Sequence, residues 1–485
     1  MFFNWIIIKE KIKNSQIIFL PIFLWLLLWS TYNTDMFRIF ATAFSRSFFD
    51  LVHGVRSFFP FVALLLAIGI LIKGKKISTD FLKGPLGFLF LYAVVGILAS
   101  LLSKNIWLSL YWGILYISAM VVLLVFLEKP NAQKYISYIF YFNFFIAGTI
   151  ALALTAVFFL QSGGFSFITL IQFLQGRRPY EGINNIGAEV LTLGMAGTRP
   201  TGLGRYAGLT SILLLAHFWY PNKKIRIIFY SLFAVFFPIL IFTRARTSVV
   251  GFALAILLMA FLKAKSKISF VFIFTSFLLL LTMIDFFPFS MAYLNNENLL
   301  QEDTGVSYKV PTKKDVAKPT SRPYLIFNQR IEVPDNITNV TSSEISFDTV
   351  TTLSGRTTGI WPQSWNLFLT SPLVGRGFFA DRIFLEGQHA HNLFLQALVQ
   401  TGTLGTTFFT LTLLYSWFLA IKLFLKFPQN IILLSAIGML AYFTMRGITE
   451  SFVFFGADYL FMVPVIAYIQ ILYFNEKNNH HVGVL

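Results

Sequence analysis

The chain contains no cysteine, which excludes disulfides, thiolate metal sites and a cysteine nucleophile. Charge is nearly as scarce. Only 12% of residues are Asp, Glu, Lys or Arg, against 56% hydrophobic, and the mean hydropathy is +0.71 over 485 residues. Such values fall outside the range of soluble domains and predict a polytopic membrane protein. No stretch has the ten-residue alternation of a membrane barrel, so helices are expected to cross the bilayer. No D-x-D, H-E-x-x-H or other metal-ligand spacing is present. The sequence therefore requires neither a metal ion nor a cofactor.

What is abundant is phenylalanine, 58 residues, with nine tryptophans, a composition suited to lipid-facing helices with aromatic interface belts. Apolar stretches that could cross a ~30 Å core fall near 17–32, 58–72, 85–103, 106–127, 135–160, 204–220, 225–243, 246–263, 268–290, 403–425, 430–449 and 456–474. The expected fold is an all-α integral membrane protein of about 12 transmembrane helices. Its regions are spans 1–9 in 1–290, a loop insertion in 291–402 between spans 9 and 10, and spans 10–12 with a tail in 403–485. The run from Ile17 to Tyr32 ends without a small-residue cleavage site and reads as a retained span. Segment 35–59, with Arg38, Arg46 and Arg56 among phenylalanines, reads as an amphipathic surface helix.

Lysine and arginine divide sharply. Lys73, Lys75, Lys76, Lys83, Lys129, Lys134, Lys223, Lys224, Lys263, Lys265, Lys267, Lys422 and Lys426 mark every second short loop, which predicts both termini in the cytoplasm. On that topology seventeen lysines and one arginine lie inside, and fifteen arginines and five lysines outside. The inner lysines need only orient the chain. The outer arginines oppose the orientation rule, and a guanidinium fork matches phosphate oxygens bidentately. An anionic, phosphorylated ligand is implied, in loops 161–203 and 291–402 and the short turns near Arg244 and Arg446. A net charge of +17 would also suit nucleic acid, but no base-stacking module or recognition helix accompanies it.

The stretch Gln388–Gly405, QHAHNLFLQALVQTGTLG, carries His389 and His391, two of six histidines. Apolar residues recur at helical spacing after His391, which predicts His391 in a helix's first turn. Five stretches bring candidate groups to the same face: Arg199 and Arg205 in TRPTGLGR, Arg244 and Arg246 in TRARTSVVGF, Arg356 in SGRTTGIW, His389, His391 and Asn392 in HAHN, and Arg446 and Glu450 in RGITES. Arg376 lies in the SPLVGRGF turn. Fixed arginines would neutralise a leaving pyrophosphate, and an imidazole would take the proton of an attacking hydroxyl. The chemistry indicated is group transfer from a diphosphate.

These residues carry a resemblance. HAHNLFLQALVQTGTLG, preceded by SGRTTGIWPQSWNLFLTSPLVGRGF, resembles the signature region of the bacterial O-antigen ligase and O-antigen polymerase superfamily, integral-membrane glycosyltransferases of the GT-C class. The likeness extends to Arg199 with Gly202 and to Thr243–Gly251, roughly residues 195–455. It implies an inverting, metal-independent transferase that uses an undecaprenyl-diphosphate-linked glycan on the periplasmic side of the bacterial inner membrane. Lipid A–core or a growing glycan would be the acceptor. It implies His391 as the catalytic histidine and Arg199, Arg246 and Arg356 on the diphosphate, with Ala245 where the family has serine. Arg205, Arg244, Arg376, His389, Asn392, Arg446 and Glu450 would support them. The ligase-like reading stands slightly ahead of a repeat-unit polymerase. A flippase for the same lipid-linked glycan is the competing class, and arginines serving only as lipid anchors the structural one.

Overall fold

The computed structural model describes residues 20, 22–29, 55, 58–74, 79–127, 131–161, 200–243, 245–264, 359–385, 389–451 and 457–479. In chain order they form α1 (Phe59–Gly74), a 3-10 turn (Thr79–Lys83), α2 (Pro85–Ser100), α3 (Ile106–Leu127), α4 (Ala132–Gln161), α5 (Pro200–Ala216), a second 3-10 turn (His217–Trp219), α6 (Lys223–Phe242) and α7 (Arg246–Lys263). There follow α8 (Trp361–Leu369), α9 (Ala380–Phe384), α10 (Leu393–Lys426), α11 (Ile431–Thr449) and α12 (Ala457–Asn479). Residues 22–29 are also helical.

The all-α membrane architecture stands, but the expected twelve spans do not. Among the described residues six helices are long and apolar enough to cross a membrane: Ile106–Leu127, Ala132–Ala156, Lys223–Ile241, Leu393–Lys426, Ile431–Ile448 and Asp458–Lys477. The reason is length. The apolar runs near 58–72 and 85–103 form helices of 16 residues each, about 24 Å at 1.5 Å per residue, short of a ~30 Å core. The run near 246–263 is likewise a shorter apolar helix. The run near 204–220 yields the 17 residues of α5, which end in the 3-10 turn. The run 268–290 lies outside the described residues, as do 17–19, 21 and 30–32 of the first run and most of the amphipathic segment 35–59. Among the described residues no ninth and tenth spans bound an insertion. Residues 393–402, which the expected regions put inside that loop, are the first turns of α10, as the helical spacing after His391 had indicated.

The interior is polar only at discrete ties. Nε1 of Trp25 and of Trp29 both donate to Oδ1 of Asn143, at 2.7 and 2.8 Å, and Nδ2 of Asn143 donates to the Leu460 carbonyl at 2.8 Å. One amide thus fastens residues 22–29, α4 and α12 where water cannot satisfy it. Gln470 of α12 does the same at the start of α2, donating to the Phe81 carbonyl and accepting from the Leu86 N–H, each at 2.9 Å. Exposed apolar residues such as Phe145, Leu414, Phe418 and Leu425 sit on spanning helices, as lipid-facing side chains should.

Helix α10 is broken at Gly402, whose φ of 61° and ψ of −167° are non-helical. The break would strand backbone groups in an apolar setting. The turn after α8 takes them up. Arg376 and Gly377 donate to the carbonyls of Val399 and Gln400 at 3.0 and 2.8 Å, and Thr403 and Leu404 donate to those of Pro372 and Leu373 at 2.8 and 3.1 Å. A Cβ on Gly402 would lie 2.3 Å from the Leu373 oxygen, so only glycine fits.

Candidate functional site

The candidate site forms where α10 begins, against the end of α11. Asn392 is the N-cap of α10. Its Oδ1 accepts from the N–H groups of Phe394 and Leu395, each at 3.0 Å, as a capping side chain should. Its Nδ2 reaches the Ile448 carbonyl at 2.9 Å, and its own N–H donates to Oγ of Ser451 at 3.3 Å. One residue therefore starts α10 and clamps it to the end of α11. His391 precedes the cap rather than occupying the first helical turn, with a left-handed φ of 47°. The periodicity placed the helix correctly, but the capping chemistry belongs to the residue after the histidine. A non-glycine residue in that region carries strain, of the kind that clusters at working sites.

That backbone turn points His391 at Glu450. Nδ1 of His391 lies 3.3 Å from Oε2 of Glu450. A carboxylate can only accept, so the contact places the proton of neutral imidazole on Nδ1 and leaves the lone pair on Nε2. The His389 ring centroid is 3.9 Å from that of His391. Burial holds the His389 imidazole well below its usual range. The charges of His391, Arg382 and Arg205 push the same way, and Glu450 opposes them. His389 is thus neutral, and its Nδ1 is enclosed without a hydrogen-bond partner. The ligand atoms of His389, His391 and Glu450 all lie within 4.8 Å of one another, near enough to hold a metal ion. They equally suit proton transfer, since a histidine oriented by a carboxylate is the arrangement of a general base.

Beside this trio lies a buried charge group. Nη1 of Arg446 donates to both oxygens of Asp458 at 2.8 Å, and Nη1 of Arg205 stands 3.3 Å from Oδ2 of the same carboxylate. Arg446 is 2% exposed, whereas the Arg205 side chain keeps 20% of its surface open. Asp458 thus holds guanidiniums from α5 and α11 together at the edge of the trio. Arg205 reaches this position because of its neighbour. A Cβ on Gly204 would sit 2.5 Å from that of Ala245, so glycine lets α5 press against the entrance of α7.

Of the residues singled out by sequence, Arg205, His389, His391, Asn392, Arg446 and Glu450 lie in this cluster. Arg446 is engaged with Asp458 rather than open to a ligand. Arg376 is elsewhere: its Nε donates to Oγ1 of Thr370 at 2.9 Å, and its guanidinium lies 5.5 Å from the Phe384 ring. Arg246 is the first residue of α7. Arg199, Arg244 and Arg356 lie outside the described residues. Sequence reasoning missed Asp458 and Asp381. An acidic residue opening an apolar helix was the signal for Asp458, because such a charge persists only with a partner. Asp381 lay in a stretch with no periodicity to mark it.

Helix polarity sets the ends apart. α10 runs from this cluster through its break at Gly402 to Lys426, 34 residues in all. Lys263, at the far end of α7 from Arg246, donates to the Pro428 carbonyl just past Lys426. The start of α7 and the histidines therefore share one end of the bundle, and Lys263 and Lys426 the other.

A broken, capped helix bearing His-x-His-Asn, faced by a carboxylate and arginines from separate helices, places a candidate site at one end of a multi-pass membrane protein. Residues 231–410 match the O-antigen ligase family, in line with the resemblance carried by the HAHN and SGRTTGIW motifs. The chain is also 29% identical over 154 residues to the exopolysaccharide production protein ExoQ of Rhizobium meliloti (strain 1021). That match covers 28% of this chain and 30% of the relative.

Proposed function

We propose that the protein is a polysaccharide repeat-unit polymerase that joins glycans carried on undecaprenyl diphosphate, with its site on the periplasmic side of the bacterial inner membrane. The observation that carries the reading is the Nδ1 contact between His391 and Glu450, because it leaves the lone pair of Nε2 to take a proton. In the reaction an acceptor hydroxyl attacks the anomeric carbon of the donor glycan. The new C–O bond forms as the bond from that carbon to the phosphate oxygen breaks. The hydroxyl proton passes to Nε2 of His391, and undecaprenyl diphosphate leaves with the bonding electrons. Direct displacement inverts the sugar carbon. Arg199, Arg246 and Arg356 would hold the leaving diphosphate, with Arg205 beside them, and no metal is required.

The choice of polymerase over the ligase-like reading favoured by sequence rests on the likeness to an exopolysaccharide production protein. The family description over residues 231–410 keeps the ligase as second reading. Both use the same donor site and differ in the acceptor. A flippase is disfavoured because the spans carry almost no charge between their two ends, whereas translocation needs basic groups along the path. Deleting the gene and resolving the extracted surface polysaccharide on a gel tests the choice. Single repeats are expected. Free long chains would mean a ligase, and unchanged chains would overturn both.

A further inference from the structure

Asp381 is fully buried in the first turn of α9, and the mechanism above gives it no part. Its helix is anchored from behind. Phe378 stacks on Tyr116 and Phe379 on Trp112, with ring centroids 4.5 and 5.1 Å apart, and the Phe378 carbonyl accepts from Oγ of Ser109 at 2.8 Å. All three partners belong to α3. From that fixed base the Asp381 carboxyl reaches forward to α10. Oδ1 accepts from Nε2 of Gln400 at 2.8 Å and Oδ2 from Nε2 of Gln396 at 3.1 Å. The two glutamines are four residues apart and so share one helix face. Both glutamines are themselves buried, on the stretch of α10 that follows the Asn392 cap.

We propose that Asp381 is a positioning residue for the reaction, holding the first turns of α10, and with them the Asn392 cap and His391, at a set place relative to α3 and Glu450. The inference rests on the reading of His391 as the base. Asn392 fixes where the helix starts, and the two glutamine bonds fix where that start lies against α9 and, through Phe378 and Phe379, against α3. The tether matters because a displacement of about 1 Å at a reacting group can cost ~10²-fold in rate. Burial raises the affinity of the Asp381 carboxyl for a proton, while Gln400, the charge of Arg382, Gln396 and Ala390 oppose that rise. The tether needs acceptor oxygens, not a full charge. Oε1 of Gln396 and Oε1 of Gln400 are both buried without a partner, so either amide can turn over to accept from an asparagine.

The test compares Asp381→Asn with Asp381→Ala in the full-length protein in detergent. Two readouts are used: kcat and KM on an undecaprenyl-diphosphate-linked repeat, and the rate at which diethyl pyrocarbonate modifies His391, followed by mass spectrometry. Asp381→Asn is expected within about threefold of wild type in both. Asp381→Ala is expected to lower kcat about 10- to 10²-fold with KM within twofold, and to change the His391 modification rate. If Asp381→Ala does not fold, Gln396→Met, which removes one donor and keeps the volume, should show the same split more weakly. Wild-type kcat, unchanged modification of His391, or a loss confined to KM would each overturn the proposal. An inactive wild type would instead remove the proposed function, and the modification rates would still decide whether Asp381 holds the head of α10.

Discussion

Nδ1 of His391 and Oε2 of Glu450 are 3.3 Å apart although 59 residues separate them in the chain. The contact exists because Asn392 ties the head of α10 to the tail of α11, whose C-cap is Glu450. Glu450→Gln keeps an acceptor for Nδ1 but removes the charge that would stabilise the imidazolium. Transfer should fall about 10²-fold, and His391→Ala should cost as much or more. Donor binding, measured by photo-crosslinking of a lipid-diphosphate glycan, should survive both. Equal loss of donor binding would assign His391 to the scaffold.

Arg246 opens α7, where its charge and fork would meet a diphosphate. Arg246→Lys keeps the charge and loses the bidentate geometry, so transfer should drop by about 10²-fold with membrane abundance unchanged. Near-normal transfer would take Arg246 off the diphosphate.

Asp458 neutralises part of a buried group made by Arg446 and Arg205. Asp458→Ala leaves Arg446 buried without its carboxylate, a change that should destabilise the fold by about 3–5 kcal/mol. A lowered thermal midpoint in detergent checks it. An unshifted midpoint would mean that water or lipid phosphate replaces the carboxylate.

His389 is held neutral by burial, with its pKa well below the ordinary value. Above about pH 6.5, the usual histidine value, neither folded nor unfolded chain carries that proton. Below it the unfolded chain takes the proton up and the folded one does not, so stability declines until the folded pKa is reached. Between pH 7.5 and 5.5 the wild-type thermal midpoint should fall further than that of His389→Gln. Parallel curves would show that His389 titrates normally.

The proximity of His389, His391 and Glu450 makes metal dependence a direct question. Transfer should persist after EDTA treatment and dialysis, because the proposed step moves a proton to nitrogen and charge to guanidinium. Loss of activity restored by a divalent ion would reassign the trio as ligands.

Much of the site was legible in the sequence because motif residues announce their chemistry locally. HAHN marked the start of a helix, RGITES its carboxylate, and SPLVGRGF a turn. What periodicity could not supply was where helices stop and what satisfies them. The start of α10 lay ten residues before the expected span because a glycine break looks like a boundary until another segment is seen to take its hydrogen bonds. Runs of apolar residues likewise overcounted the spans, since hydropathy measures composition and not the length left once proline, glycine and capping residues have set the ends.

The sequence by itself determined that the chain is helical and membrane-embedded, and that histidine and arginine are its reactive candidates. Those properties depend on composition and short-range spacing. Tertiary structure alone decided that Glu450 meets His391, that Asp458 joins Arg446 to Arg205, and that Asp381 grips the head of α10. Each of those pairings is a contact between elements far apart in the chain, and only packing around a shared core brings such groups within hydrogen-bonding reach.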